Sequence, residues 1–183
     1  MKMLNGDYMA KISSRTVAVC DAGPIIHLDE LDSLDLLSDF HLLIIPETVQ
    51  KEIARYRPKI FQHDKIAFKA EDATYPPESR LLVLSKAFLL DKGELESLSL
   101  MQKNAGAILL TDDAAARLAG EELGYKVHGT IGMVLRAIRK KTRTPKDVLK
   151  LLNEIPERTT LFLRPALLKD IIQKVKDEYF IKI

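Results

Sequence analysis

Short apolar runs that give way at once to helix-like patterns restrict the fold of this 183-residue chain more than any other feature. Thr16-Val17-Ala18-Val19-Cys20 and Ala107-Ile108-Leu109-Leu110-Thr111 are too short for helices and apolar through their middles. Strands of that kind belong to parallel sheets covered on both faces. A third run, His41–Ile45, ends at Pro46, and a fourth covers Tyr125–His128. Val49, Glu52, Ile53 and Tyr56 recur at spacings of three and four, predicting a helix from about Pro46 with Glu52 on or beside its packed face. Further helices are predicted over about 91–104, 114–123, 133–140, 145–153 and 165–178. Pro24 suits the first position of the helix after Cys20, Gly124 a left-handed helix end, and Thr130 a helix cap. Leu81–Leu90 fits either a strand or a buried helix, and 59–80 has no readable period. The alternation predicts an α/β fold with a mainly parallel central sheet.

Composition narrows the function classes. Apolar residues make up 46% and charged residues 30%, the balance of a globular domain. A net charge of +2 does not by itself identify a nucleic-acid binder. The single cysteine, Cys20, excludes an intramolecular disulfide and a cysteine zinc site; inside an apolar strand it reads as an inert buried thiol. His27, His41, His63 and His128 lack ligand spacing, and neither a phosphate-binding glycine loop nor a serine-hydrolase elbow is present. No apolar stretch approaches the roughly 20 residues of a membrane helix. Residues 1–14 read as a leader without periodicity or a signal-peptide apolar region, and 15–183 as one domain including the C-terminal helices. The expected location is cytoplasmic.

The acidic residues carry the chemistry. Asp21 ends the first strand, Asp112 and Asp113 follow the Ala107 run, Glu52 lies on the Pro46 helix, and Glu94 opens the helix near 91. In open parallel sheets functional groups gather at the carboxyl ends of the strands. Carboxylates meeting there repel unless a hard divalent cation joins them. Bland alternatives exist for each: Asp21, Asp112 or Asp113 as helix caps, Asp91 with Glu94 as a capping box, and Glu96 as a solvated helix residue. Glu52 has the weakest such alternative, and four sites arising merely as caps is the less economical account.

In order and separation, Asp21-Ala22-Gly23-Pro24-Ile25-Ile26-His27-Leu28, Pro46–Glu52, Lys92-Gly93-Glu94-Leu95-Glu96-Ser97-Leu98, Thr111-Asp112-Asp113-Ala114-Ala115-Ala116-Arg117 and Gly129-Thr130-Ile131-Gly132 resemble PIN-domain ribonucleases of a VapC-like branch. The likeness runs from about Val17 to Lys140, and Phe162–Leu168 resembles the start of that branch's C-terminal helix. It implies a three-layer α/β/α fold, an endoribonuclease activity and magnesium or manganese held by acids. Catalytic roles would fall to Asp21, Glu52, Glu94 and Asp113, with Asp21, Glu94, Asp112 and Asp113 as metal candidates. Thr111-Asp112-Asp113 favours Asp113 as the matching acid, and Glu94 departs from the aspartate common across the wider group. The resemblance also implies a homodimer, with Leu81–Leu90 and the C-terminal helix as apolar surface, and the toxin role of a toxin–antitoxin pair, whose antitoxin would offer an arginine to the acids.

A basic run, Arg136, Arg139, Lys140, Lys141, Arg143, Lys146 and Lys150, reads either as a solvated face or as a stripe for RNA phosphates. Arg117, one turn from Asp113, either neutralises the acids or touches phosphate. The competing function is a PIN-like module that binds RNA or protein with little catalysis; retained acids weigh against it. A phosphotransfer site using Asp21 as nucleophile is disfavoured because Gly23 stands where a second aspartate is needed.

Overall fold

The computed structural model describes residues 16–73 and 78–179. Among these, β1 (Val17–Cys20), β2 (Leu42–Pro46), β3 (Phe68–Glu71), β4 (Ile108–Leu110) and β5 (Lys126–His128) form one parallel sheet in the order β3-β2-β1-β4-β5. The helices are α1 (Ala22–Glu30), α2 (Glu47–Tyr56), α3 (Ser79–Ala87), α4 (Lys92–Lys103), α5 (Ala114–Glu122), α6 (Thr130–Arg139), α7 (Pro145–Arg158) and α8 (Pro165–Glu178). The three-layer α/β/α expectation holds.

Strand residues alternate between two cores, because successive side chains point to opposite faces of a sheet. Ala18, Cys20, Leu43, Ile45, Ile108 and Leu110 face the larger core, which α1, α2, α6, α7 and α8 cover. Val19, Ile44 and Leu109 face the smaller one with Leu81 of α3, Leu98 and Met101 of α4, and Ala119 of α5. Cys20 is buried and free of disulfide, as its strand position predicts.

Topology then sets where a site can form. The chain steps outward from β1 to β2 and β3, then returns to place β4 on the other side of β1. Connections leave β1 and β4 in opposite directions, which opens a crevice at their carboxyl ends. Cys20 pairs with Leu110 and Leu110 with His128, so Asp21, Thr111 and Gly129 emerge side by side at that edge.

Several expectations change. α1 begins at Ala22, so Pro24 is its third residue, still inside the first turn where its missing N–H costs nothing. α6 begins at Thr130 with Gly129 as its cap; Thr130 is not the cap because its amide and hydroxyl both bind Asp112. Segment 79–87 is a helix, but only Leu81 is fully buried; Leu82, Val83 and Leu89 are exposed. β3 was not readable because it is an edge strand with Lys69 and Glu71 in it, charges that also blunt a sheet edge. Gly124 ends α5 at φ +81°, as expected. The 1–14 leader and Pro76-Pro77 lie outside the described residues. Among the described residues no helix is long and apolar enough to cross a membrane.

Leu109→Ala should cost about 2–5 kcal/mol, since Leu109 is fully buried in the smaller core. A denaturant titration of variant and parent checks it.

Candidate active site

Asp21 is the first residue past β1, and its amide donates to Leu110 O at 2.9 Å, extending the ladder by one step. It holds the N-cap position of α1, yet its side chain makes no capping hydrogen bond. That carboxylate is instead left facing the crevice, where Thr111 Oγ1 stands 3.5 Å from Oδ2. The same hydroxyl accepts from the Asp113 amide at 3.2 Å, so buried Thr111 stitches the ends of β1 and β4 together.

Asp113 caps α5, its Oδ1 accepting from Ala116 N at 2.8 Å. Asp91 and Glu94 form the capping box: Glu94 N donates to Asp91 Oδ1 at 2.9 Å, and Asp91 N to Glu94 Oε2 at 2.8 Å. The box therefore exists, but it does not remove these acids from the crevice. A Cβ on Gly93 would stand 3.9 Å from Asp21 Oδ1 and 3.7 Å from Val49 of α2, so the start of α4 abuts both.

Electrostatics ties the group together. Burial pushes the Asp21 carboxyl up to about 6, the Ala22 amide partly offsets this, and Asp91, Glu52 and Asp113 raise it further. Burial likewise raises Glu94 to about 7 against the Asp91 amide, with Asp113, Asp91 and Asp21 adding repulsion. Among the described residues none of these five acids belongs to an ion pair, whereas Asp29, Glu30, Asp35, Asp39 and Glu154 all do. Such a set is all-oxygen, anionic and without a counter-charge, which suits a hard divalent cation. Asp113 and Glu94 each keep one carboxylate oxygen beyond their caps. Among the described residues, no three ligand side chains already stand grouped closely enough to hold an ion.

Asp112 is differently placed. Its Oδ2 accepts from His27 Nδ1 at 2.8 Å and Thr130 Oγ1 at 2.6 Å, and its Oδ1 from Thr130 N at 2.7 Å. Both oxygens are occupied, and they lock α1, the β4 loop and α6 to one another.

A family model described as a PIN domain matches residues 17–177. The chain belongs to the PIN domain family. No curated protein and no solved structure matches it significantly. PIN domains are generally nucleases that use divalent metal ions, which agrees with the anionic crevice.

The basic run does not join the acids of this PIN domain. Arg136 places Nε and Nη2 at 2.6 and 2.5 Å from Asp39 Oδ2, and Lys140 Nζ lies 3.1 Å from Asp39 Oδ1. Arg143 Nη2 reaches both oxygens of Asp35 at 2.8 Å. Arg136 and Lys140 also line a cavity with Thr16, Val17, Ala107 and Lys126, at the amino ends of β1, β4 and β5. That is the sheet edge opposite the carboxylates. Arg139 and Lys141 are exposed and outside the described ion pairs. Arg117 lies at the carboxylate edge, with Nη2 3.2 Å from Thr111 O and Nη1 3.9 Å from Glu121.

Three smaller readings shift as well. Glu52 and Tyr56 are exposed while Val49 and Ile53 are buried, so Glu52 borders the packed face of α2 rather than entering it. Glu96 is no free surface residue: Thr48 Oγ1 donates to it, joining α2 to α4. Asp91 belongs with the site although its cap spacing alone identified it only as a helix start; the signal was its position three residues before Glu94.

Two measurements follow from this geometry. An acid with a raised folded-state pKa stabilises the fold while protonated; that contribution is complete below the ordinary 3.8 and 4.5 and is lost as pH rises through about 6 to 7. Metal-free protein at pH 8 should therefore gain melting temperature on Asp21→Asn substitution, and the gain should vanish near pH 4. The comparison with the variant cancels His128, whose lowered pKa acts in the opposite sense below 6.5. Gly129→Ala should cost roughly 1–3 kcal/mol, because its Cβ would stand 2.5 Å from Asp112 Oδ1 and 3.0 Å from Thr111 O; chemical denaturation reads the loss.

Proposed function

We propose that this PIN domain is a metal-dependent endoribonuclease, hydrolysing RNA phosphodiester bonds at the crevice between β1 and β4. One observation carries the reading: Asp21, Asp91, Glu94 and Asp113, with Glu52 at the rim, repel one another across that crevice, and among the described residues none of them is in an ion pair. A surface meant only to bind RNA gains nothing from a cluster of anions facing phosphate. The acids become useful once a divalent ion neutralises them.

Asp21 and Asp113 are assigned as direct ligands, because they leave the adjacent central strands and each has carboxylate oxygen to offer. Glu94 and Glu52 approach from α4 and α2 and would act through water or orient it. Asp112 is left out of the ligand set, since His27 and Thr130 hold both its oxygens; it positions the turn that carries Asp113. A bound magnesium or manganese ion would supply polarisation of a phosphate oxygen and a more acidic water. Thr111 would keep Asp21 and Asp113 in register through its hydroxyl.

The VapC-like branch and a toxin role rest on the resemblance of the motifs; a small reading frame beside the gene is the expected sign. Leu82 and Val83 on α3 with Leu89 offer an apolar face for a second copy.

Purified protein should cleave a mixed single-stranded RNA pool with magnesium or manganese and not with chelator. Asp21→Asn should lower the rate on the order of 100-fold or more, the scale of losing one electrostatic stabiliser. Glu52→Gln should lower it roughly 10–100-fold, as groups acting at one remove from a metal do. Metal-independent cleavage, or full activity in Asp21→Asn, would contradict the assignment.

A further inference from the structure

A second cavity of about 330 Å³ opens at the carboxyl ends of β4 and β5, and nothing in the carboxylate reading uses it. Arg117, His128 and Gly129 form one wall; Phe162, Leu167 and Ile171 form the other. Phe162 sits in the stretch joining α7 to α8 and is 88% exposed, an aromatic ring turned to solvent at the mouth of a pocket. Leu167, beside it, is 46% exposed.

The two walls differ in character. Arg117 uses Nη2 on Thr111 O and only a long contact on Glu121, so donors of its guanidinium remain open to the cavity. Burial, with the cationic side chains near it, lowers the pKa of His128, and Arg117 beside it is the cation lining this wall. Asp112 also borders the cavity, but both its oxygens are turned to His27 and Thr130. A flat apolar face opposite a cationic wall matches the two halves of a nucleotide, a base and its phosphate.

Position decides what kind of nucleotide. Thr111 presents its hydroxyl to Asp21 and its carbonyl to Arg117, so a single residue separates the acidic crevice from this cavity. A strand whose phosphodiester lies at the acids would bring its neighbouring base here. A paired base is held in its stack and does not reach a pocket of this kind, whereas an unstacked one does.

We propose that this cavity takes one unstacked base of single-stranded RNA, stacked on Phe162, with the flanking phosphate toward Arg117 and His128. The proposal rests on the ribonuclease reading and adds a substrate subsite to it. Phe162 is a binding residue, not a catalytic one, and its exposure means that truncation leaves the cores untouched.

The test uses fluorescein-labelled single-stranded RNA with magnesium. In an Asp21→Asn background, Phe162→Ala should weaken binding by about tenfold, within the range for losing one base–aromatic stack, and Phe162→Trp should restore it. In the otherwise unaltered chain, Phe162→Ala should lower kcat/KM by a similar factor, with a duplex of the same sequence unaffected. If the parent cleaves while Phe162→Ala matches it in both binding and kcat/KM, the subsite is wrong and the ribonuclease reading stands. Equal losses on duplex and single strand would also overturn the subsite. A parent that neither binds nor cleaves any RNA overturns both.

Discussion

Repulsion among carboxylates is the constraint around which this molecule is arranged. Asp21, Asp91, Glu94 and Asp113 are drawn to one crevice, and two of them are pushed to about 6 and 7 by burial and by one another. A fold does not hold such a set by side-chain preference; it holds it by backbone. Asp21 and Thr111 are fixed by the parallel ladder between β1 and β4, and Asp91, Glu94 and Asp113 by helix caps. The strand order β3-β2-β1-β4-β5 places the crevice between two central strands, where both cores brace it. Unfavourable local electrostatics at a braced position is the usual sign of a functional site.

Around that crevice lies a ring of satisfied polar contacts. His27 on α1, Asp112 beyond β4 and Thr130 at the start of α6 meet through four hydrogen bonds. Gly129 must be a glycine for this packing, since any side chain would strike Asp112 and Arg117. The neighbours in sequence differ: Asp112 has both oxygens hydrogen-bonded, whereas Asp113 uses one oxygen to cap α5 and keeps the other beyond that cap.

How much of this was legible in the sequence depends on the range of the interaction. β1, β4, the Asp91–Glu94 cap and the left-handed Gly124 are local features, and short windows reveal them. The position of Asp21, Glu94 and Asp113 followed from strand ends and helix starts. What was not legible depends on partners far along the chain. The ion pairs of the basic run were hidden, because nothing local shows that Asp35 and Asp39 face Arg143, Arg136 and Lys140. Thr130 resembled a cap because its claim by Asp112, 18 residues away, is tertiary. The partner of Glu96 lies 48 residues back at Thr48. β3 was hidden because an edge strand carrying charges lacks the apolar signature of its buried neighbours.

The central claim is that the unpaired acids form a cation site. Manganese binding to the intact chain, followed by the loss of the free-ion paramagnetic resonance signal near neutral pH, tests it without reference to any substrate. The account predicts saturable binding that weakens at least about tenfold in Asp21→Asn and Asp113→Asn but not in Asp35→Asn, whose carboxylate pairs with Arg143 instead. No binding by the parent, or equal binding by all three variants, would contradict it.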